Sequence, residues 1–245
     1  MNELLVLTQI FSRIPIKKEL DYSDSSAKRS SILLSFFGAL IYLPVVAFSM
    51  GLSLLNCPSK INALLSVLLL LLITGAYHVD GFADTLDGMF SGRSGDKVLE
   101  IMKDSRIGAY GAIGIFMDLA IKGVVFNELI LTRRIWILPL LGAIGKLSLC
   151  YVAFMGIPAK EQSSGNYFIN GASKVSLIIN TVVVLILGLV CGEILVTLVS
   201  IAVLLVYAIY FTGMAKTKIG GIVGDNLGFS SEIGELILGI LSVWA

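Results

Sequence analysis

Residues 61–88 read INALLSVLLLLLITGAYHVDGFADTLDG. Positions 61–79 carry no Asp, Glu, Lys or Arg, and then Asp80, Asp84 and Asp87 follow in close succession. An uncharged run of about 20 residues is the length a helix needs to cross the hydrocarbon layer of a membrane. The stretch therefore predicts a membrane span that ends in a patch of acid. Working outward, residues 32–59 form a second uncharged run, separated from the first by Asn56-Cys57-Pro58-Ser59-Lys60, with Pro44 expected to kink it. Further spans are expected over 107–131 and 135–156, divided by Arg133 and Arg134. Residues 175–215 are too long for one crossing and break at Gly192-Glu193, giving two spans, and 226–245 supplies a seventh.

Composition agrees with this layout. Of 245 residues, 56% are hydrophobic and 14% charged, against about 25% charged in an ordinary soluble domain, so a soluble enzyme is excluded. The expected fold class is all-α: a polytopic membrane helix bundle of about seven spans, forming a single domain over 1–245. With 18 basic and 17 acidic residues the chain has no basic field for nucleic acid. Cys57, Cys150 and Cys191 have no metal-type spacing, and His78 is the one histidine, so no zinc set is formed.

Lys and Arg in short loops stay on the cytoplasmic side. With the N-terminus inside, that side holds Arg13, Lys17, Lys18, Lys28, Arg29, Arg93, Lys97, Lys103, Arg106, Lys160, Lys174, Lys216 and Lys218. The opposite side holds Lys60, Arg133 and Arg134. A cytoplasmic N-terminus in an inner (plasma) membrane follows, with lipid as the surrounding partner and the long polar loops, 80–106, 157–174 and 215–225, on the cytoplasmic face. The first 31 residues mix both charge signs and lack a signal-peptide pattern. Leu4, Leu7, Phe11 and Ile14 recur at helical spacing there, which predicts either a helix lying on the membrane surface or one packed on the bundle.

On a helix, Asp80, Asp84 and Asp87 fall within about 60° of one another. Three carboxylates on one face repel, and apolar surroundings add a desolvation cost, so a cation is expected between them. Oxygen ligands without thiolates suit Mg²⁺, whose shell is commonly completed by phosphate oxygens. The competing reading is a solvated acidic helix end paired with lysines. Arg93, Lys103 and Arg106 follow at once, as a diphosphate requires, although they also serve as positive-inside anchors. The turn holding Gly220, Gly221 and Gly224 lets backbone approach an anion, and Asp225 opens the last span as a further metal ligand. His78 lies on the helix face opposite the triad, as a general base or a structural group. Asp118 and Lys122, at i and i+4, and Lys146 are charges inside spans that need partners.

These residues carry a resemblance. HVDGFADTLDG from His78, LEIMKDSRIGAYG from Leu99 and GGIVGDNLG from Gly220, with Phe11-Ser12-Arg13-Ile14-Pro15 near the start, resemble the cobalamin synthase family, adenosylcobinamide-GDP ribazoletransferase. Lys146 stands where the family has an arginine. The resemblance implies that a hydroxyl of α-ribazole, or of its 5′-phosphate, attacks the cobinamide-bearing phosphorus of adenosylcobinamide-GDP and GMP leaves. In that frame Asp80, Asp84, Asp87 and Asp225 hold Mg²⁺. Arg93, Lys103, Arg106, Gly220, Gly221 and Gly224 hold the phosphates, and Asp104 or His78 takes the proton. The loop with Tyr167 and Phe168 is the candidate contact for the corrinoid, and a homo-oligomer is left open. Two other readings use the same residues: a CDP-alcohol phosphotransferase-like lipid synthase, and an ion-coupled transporter with Asp80, Asp118, Lys122 and Lys146 along a cation path.

Overall fold

The structure, a computed structural model, describes residues 2–161, 163 and 165–244. Met1 and Ala245, the ends of the expected domain, lie outside the described residues. The chain before the bundle forms α1 (Asn2–Phe11) and α2 (Asp24–Ile32). The bundle is built from α3 (Leu34–Leu54), α4 (Ser59–Thr74), α5 (Tyr77–Met89), α6 (Asp96–Met102), α7 (Ala109–Leu131) and α8 (Leu138–Met155). It is completed by α9 (Asn166–Gly171), α10 (Lys174–Val190), α11 (Ile194–Ile219) and α12 (Gly224–Trp244). A single 3-10 turn at Ile135–Ile137 leads into α8.

The centre of the molecule is α8, whose side chains are buried almost from end to end while α3, α7 and α11 turn much of their apolar surface outward. Helices α3, α12, α10 and α11 pack around it. Close approach is possible because a Cβ on Gly142 would stand 2.2 Å from the carbonyl oxygen of Gly38, so α3 and α8 touch backbone to backbone. The apolar side chains facing outward match what lipid requires, and with these helices the chain is an integral membrane protein.

The expected spans are recovered with two differences. Among the described residues, five helices are long and apolar enough to cross a membrane, six if α4 and α5 count as one broken span, and α10 is a shorter apolar helix of 17 residues. The expected seven is thus not reached by length alone. The expected 175–215 pair does divide as read, with Gly192 (φ 75°) between α10 and α11.

The second difference concerns the run 61–79. It does not continue straight into the acidic motif. Thr74 ends α4, Gly75 (φ 66°) and Ala76 (φ 57°) both adopt left-handed backbone, and α5 departs at 90°. At about 1.5 Å per residue, α4 is about 24 Å long. Gly75 is a helix-ending glycine of the usual kind. Ala76 has no such freedom, and its conformation is held by the Ala76 N–H donating to the Leu71 carbonyl at 3.1 Å and the Asp80 N–H donating to the Ala76 carbonyl at 2.9 Å.

For α1 the sequence left two placements open, and the structure shows the second. The apolar face of α1, Val6, Leu7 and Phe11, is buried against the protein, so it packs on the bundle and not on lipid headgroups. Arg29 of α2 reaches Glu3 at 2.6 Å and holds its carboxyl at about 2, below the usual carboxylate range. The Arg13 N–H donates to the Ile73 carbonyl at 2.8 Å, fixing the chain after α1 across the end of α4.

Left-handed backbone costs a non-glycine residue about 1–2 kcal/mol. Ala76→Gly should therefore raise resistance to heating in detergent by roughly 1 kcal/mol, whereas Gly75→Val should lower it. Monodisperse protein remaining after graded heating reads both changes.

Candidate active site

Two sets of charged side chains are present, one at the end of the bundle and one inside it. The first lies where α5 crosses the start of α12. A Cβ on Gly81 would stand 3.0 Å from the Asp225 Cα, so the two backbones nearly touch there. Asp84 is half-buried and within electrostatic reach of Asp225, Asp80 and Asp87. Lys103, at the end of α6, stands near Asp225 and lines a cleft with Lys160, Ser163, Gly224 and Asp225. Asp80, Asp84, Asp225, Lys103 and Gly224 are thus brought together, and Lys160 joins them from the loop after α8.

Asp87 has an engagement of its own. The Gly108 N–H donates to Asp87 Oδ2 at 2.7 Å and the Gly111 N–H to Oδ1 at 2.8 Å, so this carboxylate caps the start of α7. Carboxylates are favoured at a helix N-terminus, where N–H groups lack intrahelical partners. Asp104 is also committed: Arg106 Nε donates to Oδ1 at 3.0 Å and Nη2 to Oδ2 at 2.6 Å. The guanidinium holds the Asp104 carboxyl at about 2, so it is a weak base at neutral pH. Arg93 is exposed, and Arg106 projects into solvent as it holds Asp104.

The glycine turn divides. Gly220 (φ 80°) is the left-handed cap of α11, and its N–H donates to the Lys216 carbonyl at 3.1 Å. Gly221 is required for close approach, since a Cβ there would stand 2.3 Å from the Ile157 carbonyl oxygen. The Ile222 N–H donates to that same carbonyl at 2.7 Å, and the Val223 N–H donates to Asn226 Oδ1 at 3.1 Å. Much of the turn's donor capacity therefore goes to holding the 157–159 segment and α12. Gly224 is the glycine of the three that borders the Lys103 cleft. Lys218 donates to the Met89 carbonyl and fastens the end of α11 to that of α5.

The inner set surrounds Lys122 on α7. Its ammonium contacts Glu232, Glu235 at 3.2 Å and Asp118 at 3.3 Å, and Tyr42 donates to Glu235 at 2.6 Å. Lys146 of α8 lies in the same chamber, 4.6 Å above the Phe11 ring, with Nζ 3.1 Å from His78 Nδ1 and 3.3 Å from Ser231 Oγ. His78 is buried and faces this chamber, away from the aspartates, as its helical phase indicated. Sequence reading paired Asp118 with Lys122 but missed Glu232 and Glu235. The signal available was their i, i+3 placement inside an apolar helix.

In chemistry the donor set at the bundle end suits a hard divalent cation, being oxygen-only and anionic, with Asp84 and Asp225 half-buried and Asp80 exposed. Among the described residues, no three His, Cys, Asp or Glu side chains converge closely enough to hold an ion as they stand. Carboxylates without a counter-cation repel one another, and such an ion is what would draw Asp80, Asp84 and Asp225 together.

Helices of membrane-crossing length that gather half-buried carboxylates and lysines at one end define a polytopic membrane protein with its polar chemistry at that end. The chain belongs to the cobalamin-5-phosphate synthase family, whose sequence model matches residues 3–243. It is 36% identical to the adenosylcobinamide-GDP ribazoletransferase of Clostridium botulinum (strain Langeland), over 96% of this chain and 95% of that one. The protein of the same name from Treponema denticola is 34% identical over 96% and 95% of the two chains, and that from Clostridioides difficile 30% over 97% and 95%. No solved structure matches.

Three substitutions separate the roles of these charged groups. Asp87→Ala should lower the heat resistance of the purified protein by about 1–3 kcal/mol, because two N–H donors lose their acceptor. Asp84→Asn should leave it equal or higher, since repulsion is relieved. Lys122→Met strands three buried carboxylates and should cost about 3–5 kcal/mol, read as loss of monodisperse protein.

Proposed function

We propose that the chain catalyses the ribazoletransferase reaction, joining α-ribazole or its 5′-phosphate to adenosylcobinamide-GDP with release of GMP, at the cytoplasmic face of the inner (plasma) membrane. The observation that carries this reading is the half-buried Asp84 set between Asp80 and Asp225, beside a cleft lined by Lys103 and Lys160. Two lysines at a cleft neutralise the phosphate oxygens of a diphosphate, and the start of α12 at Gly224 adds a helix N-terminus to them. Asp80, Asp84 and Asp225 would hold Mg²⁺, which supplies charge neutralisation at the diphosphate when bound.

The residues then divide the work. Lys103 and Lys160 orient the donor with its cobinamide-bearing phosphorus toward the acidic cluster. The acceptor hydroxyl gives its proton to the Asp84 carboxylate oxygen that the cation would leave free, as its own oxygen bonds to that phosphorus. The bond from that phosphorus to the bridging oxygen breaks, and GMP leaves with the electron pair. Asp104 is assigned no proton transfer because Arg106 occupies both its oxygens. Asp87 supports the site by fixing α7 against α5. The lipid-synthase and transporter readings are not favoured, since the family match spans nearly the whole chain and the inner charges are paired with one another.

Purified protein in detergent, given adenosylcobinamide-GDP, α-ribazole and Mg²⁺, should release GMP. Chelation of the divalent ion should stop release and Mg²⁺ should restore it. Asp84→Asn should reduce release about 10³-fold with the protein still monodisperse. Release of CMP from a CDP-alcohol, with none of GMP, would overturn the assignment.

A further inference from the structure

A second cavity adjoins the acidic site and plays no part in the steps above. Its volume is about 330 Å³, between α1, the start of α5, α9 and the start of α12. Tyr22, Tyr77, Tyr167, Phe168 and Phe11 line it, with His78 beside them. These rings already pack on one another. Phe11 stacks on Phe168 with centroids 5.1 Å apart, Tyr167 meets Phe168 edge-on at 5.2 Å, and Tyr22 meets Tyr167 at 5.7 Å. The tyrosines are fixed from behind: Tyr167 Oη is 3.0 Å from Ser30 Oγ and 3.1 Å from Ser26 Oγ, and Tyr22 donates to Gln9 at 2.9 Å. A rigid aromatic wall of this kind offers π-faces for a flat ring.

The position of the cavity says which end of a ligand it takes. Its lining includes His78, two residues before Asp80, and Gly224, the residue before Asp225. Gly224 borders this cavity and the Lys103 cleft alike. A ring lodged among the tyrosines therefore has its attached sugar pointing to the acidic cluster. The lining chemistry says which ring. Guanine presents several polar edge atoms that a buried site must satisfy, and this wall is almost wholly aromatic and aliphatic. The His78 imidazole on its border is already engaged by Lys146.

Resting on the proposed transferase activity, we infer that this cavity is the acceptor subsite, in which Tyr77 and the ring cluster stack the flat, weakly polar heteroaromatic base of α-ribazole. Its volume falls within the range that holds a nucleoside-sized ligand. Tyr77 has about half of its surface facing out, so part of its ring lies outside the packed wall. On this assignment Tyr167 and Phe168 serve the acceptor, and not the corrinoid.

The test uses the full-length protein in detergent and compares Tyr77→Ala with Tyr77→Phe. Tyr77→Ala should raise the KM for α-ribazole about tenfold, as the loss of one stacking face does, with kcat and the KM for adenosylcobinamide-GDP unchanged. Tyr77→Phe should keep the acceptor KM within about twofold, because the ring face remains. A rise in donor KM with the acceptor KM unchanged would assign the cavity to guanine and overturn the inference. Unchanged values for both substrates in a monodisperse Tyr77→Ala protein would overturn it as well. Equilibrium dialysis of α-ribazole against wild type and Tyr77→Ala keeps the two claims apart. Binding that is lost in the variant supports the subsite even where wild type releases no GMP, a result that would count against the transferase reading alone. Equal binding by both proteins overturns the subsite.

Discussion

The right-angle turn between α4 and α5 determines where every polar group of the site lies. Had the apolar run continued straight, Asp80, Asp84 and Asp87 would have extended past the membrane surface as one solvated helix end. The left-handed pair Gly75 and Ala76 instead lays α5 across the start of α12, close enough that Gly81 meets the Asp225 backbone. Three consequences follow from that one crossing. Asp225 joins acids from another part of the chain, Asp87 becomes the acceptor that seats α7, and Lys218 closes the gap between α11 and α5.

Stability and chemistry are divided between the two charged sets. Inside the bundle, the one ammonium of Lys122 meets Asp118, Glu232 and Glu235, and Tyr42 donates to Glu235, so part of the cost of burying these acids is offset. This set ties α7, α12 and α3 together around α8. At the bundle end, Asp84 lies among Asp80, Asp87 and Asp225, and their mutual repulsion is a free energy that the proposed cation would relieve. The acids that destabilise the free protein are in this account the ones that bind.

The sequence carried the helices well, because lipid imposes long uncharged runs whose ends are marked by charge; the break at Gly192-Glu193 and the start of the last span at Asn226 are read almost to the residue. The turn at Gly75 was missed because Gly75-Ala76-Tyr77 continues an apolar run, and hydropathy is blind to backbone handedness. Thr74 followed by a glycine was the available sign. The facing of Asp80 and Asp84 was legible from helical phase, but the separation of Asp87 from them depends on Gly108 and Gly111, far along the chain. The same holds for Gly221, whose small size answers the Ile157 carbonyl and not a ligand. The i, i+3 placement of Glu232 and Glu235 marks them as buried acids, but nothing local names Lys122, on another helix, as their partner.

The central claim is that acids from α5 and α12 form one cation site. It is tested most directly by titrating purified protein with Mn²⁺ and following the free ion by electron paramagnetic resonance, for wild type, Asp84→Asn, Asp225→Asn and Asp87→Asn. The account predicts that wild type binds Mn²⁺, that Asp84→Asn and Asp225→Asn each weaken binding at least tenfold, and that Asp87→Asn weakens it far less. Equal binding by wild type and Asp225→Asn would contradict it.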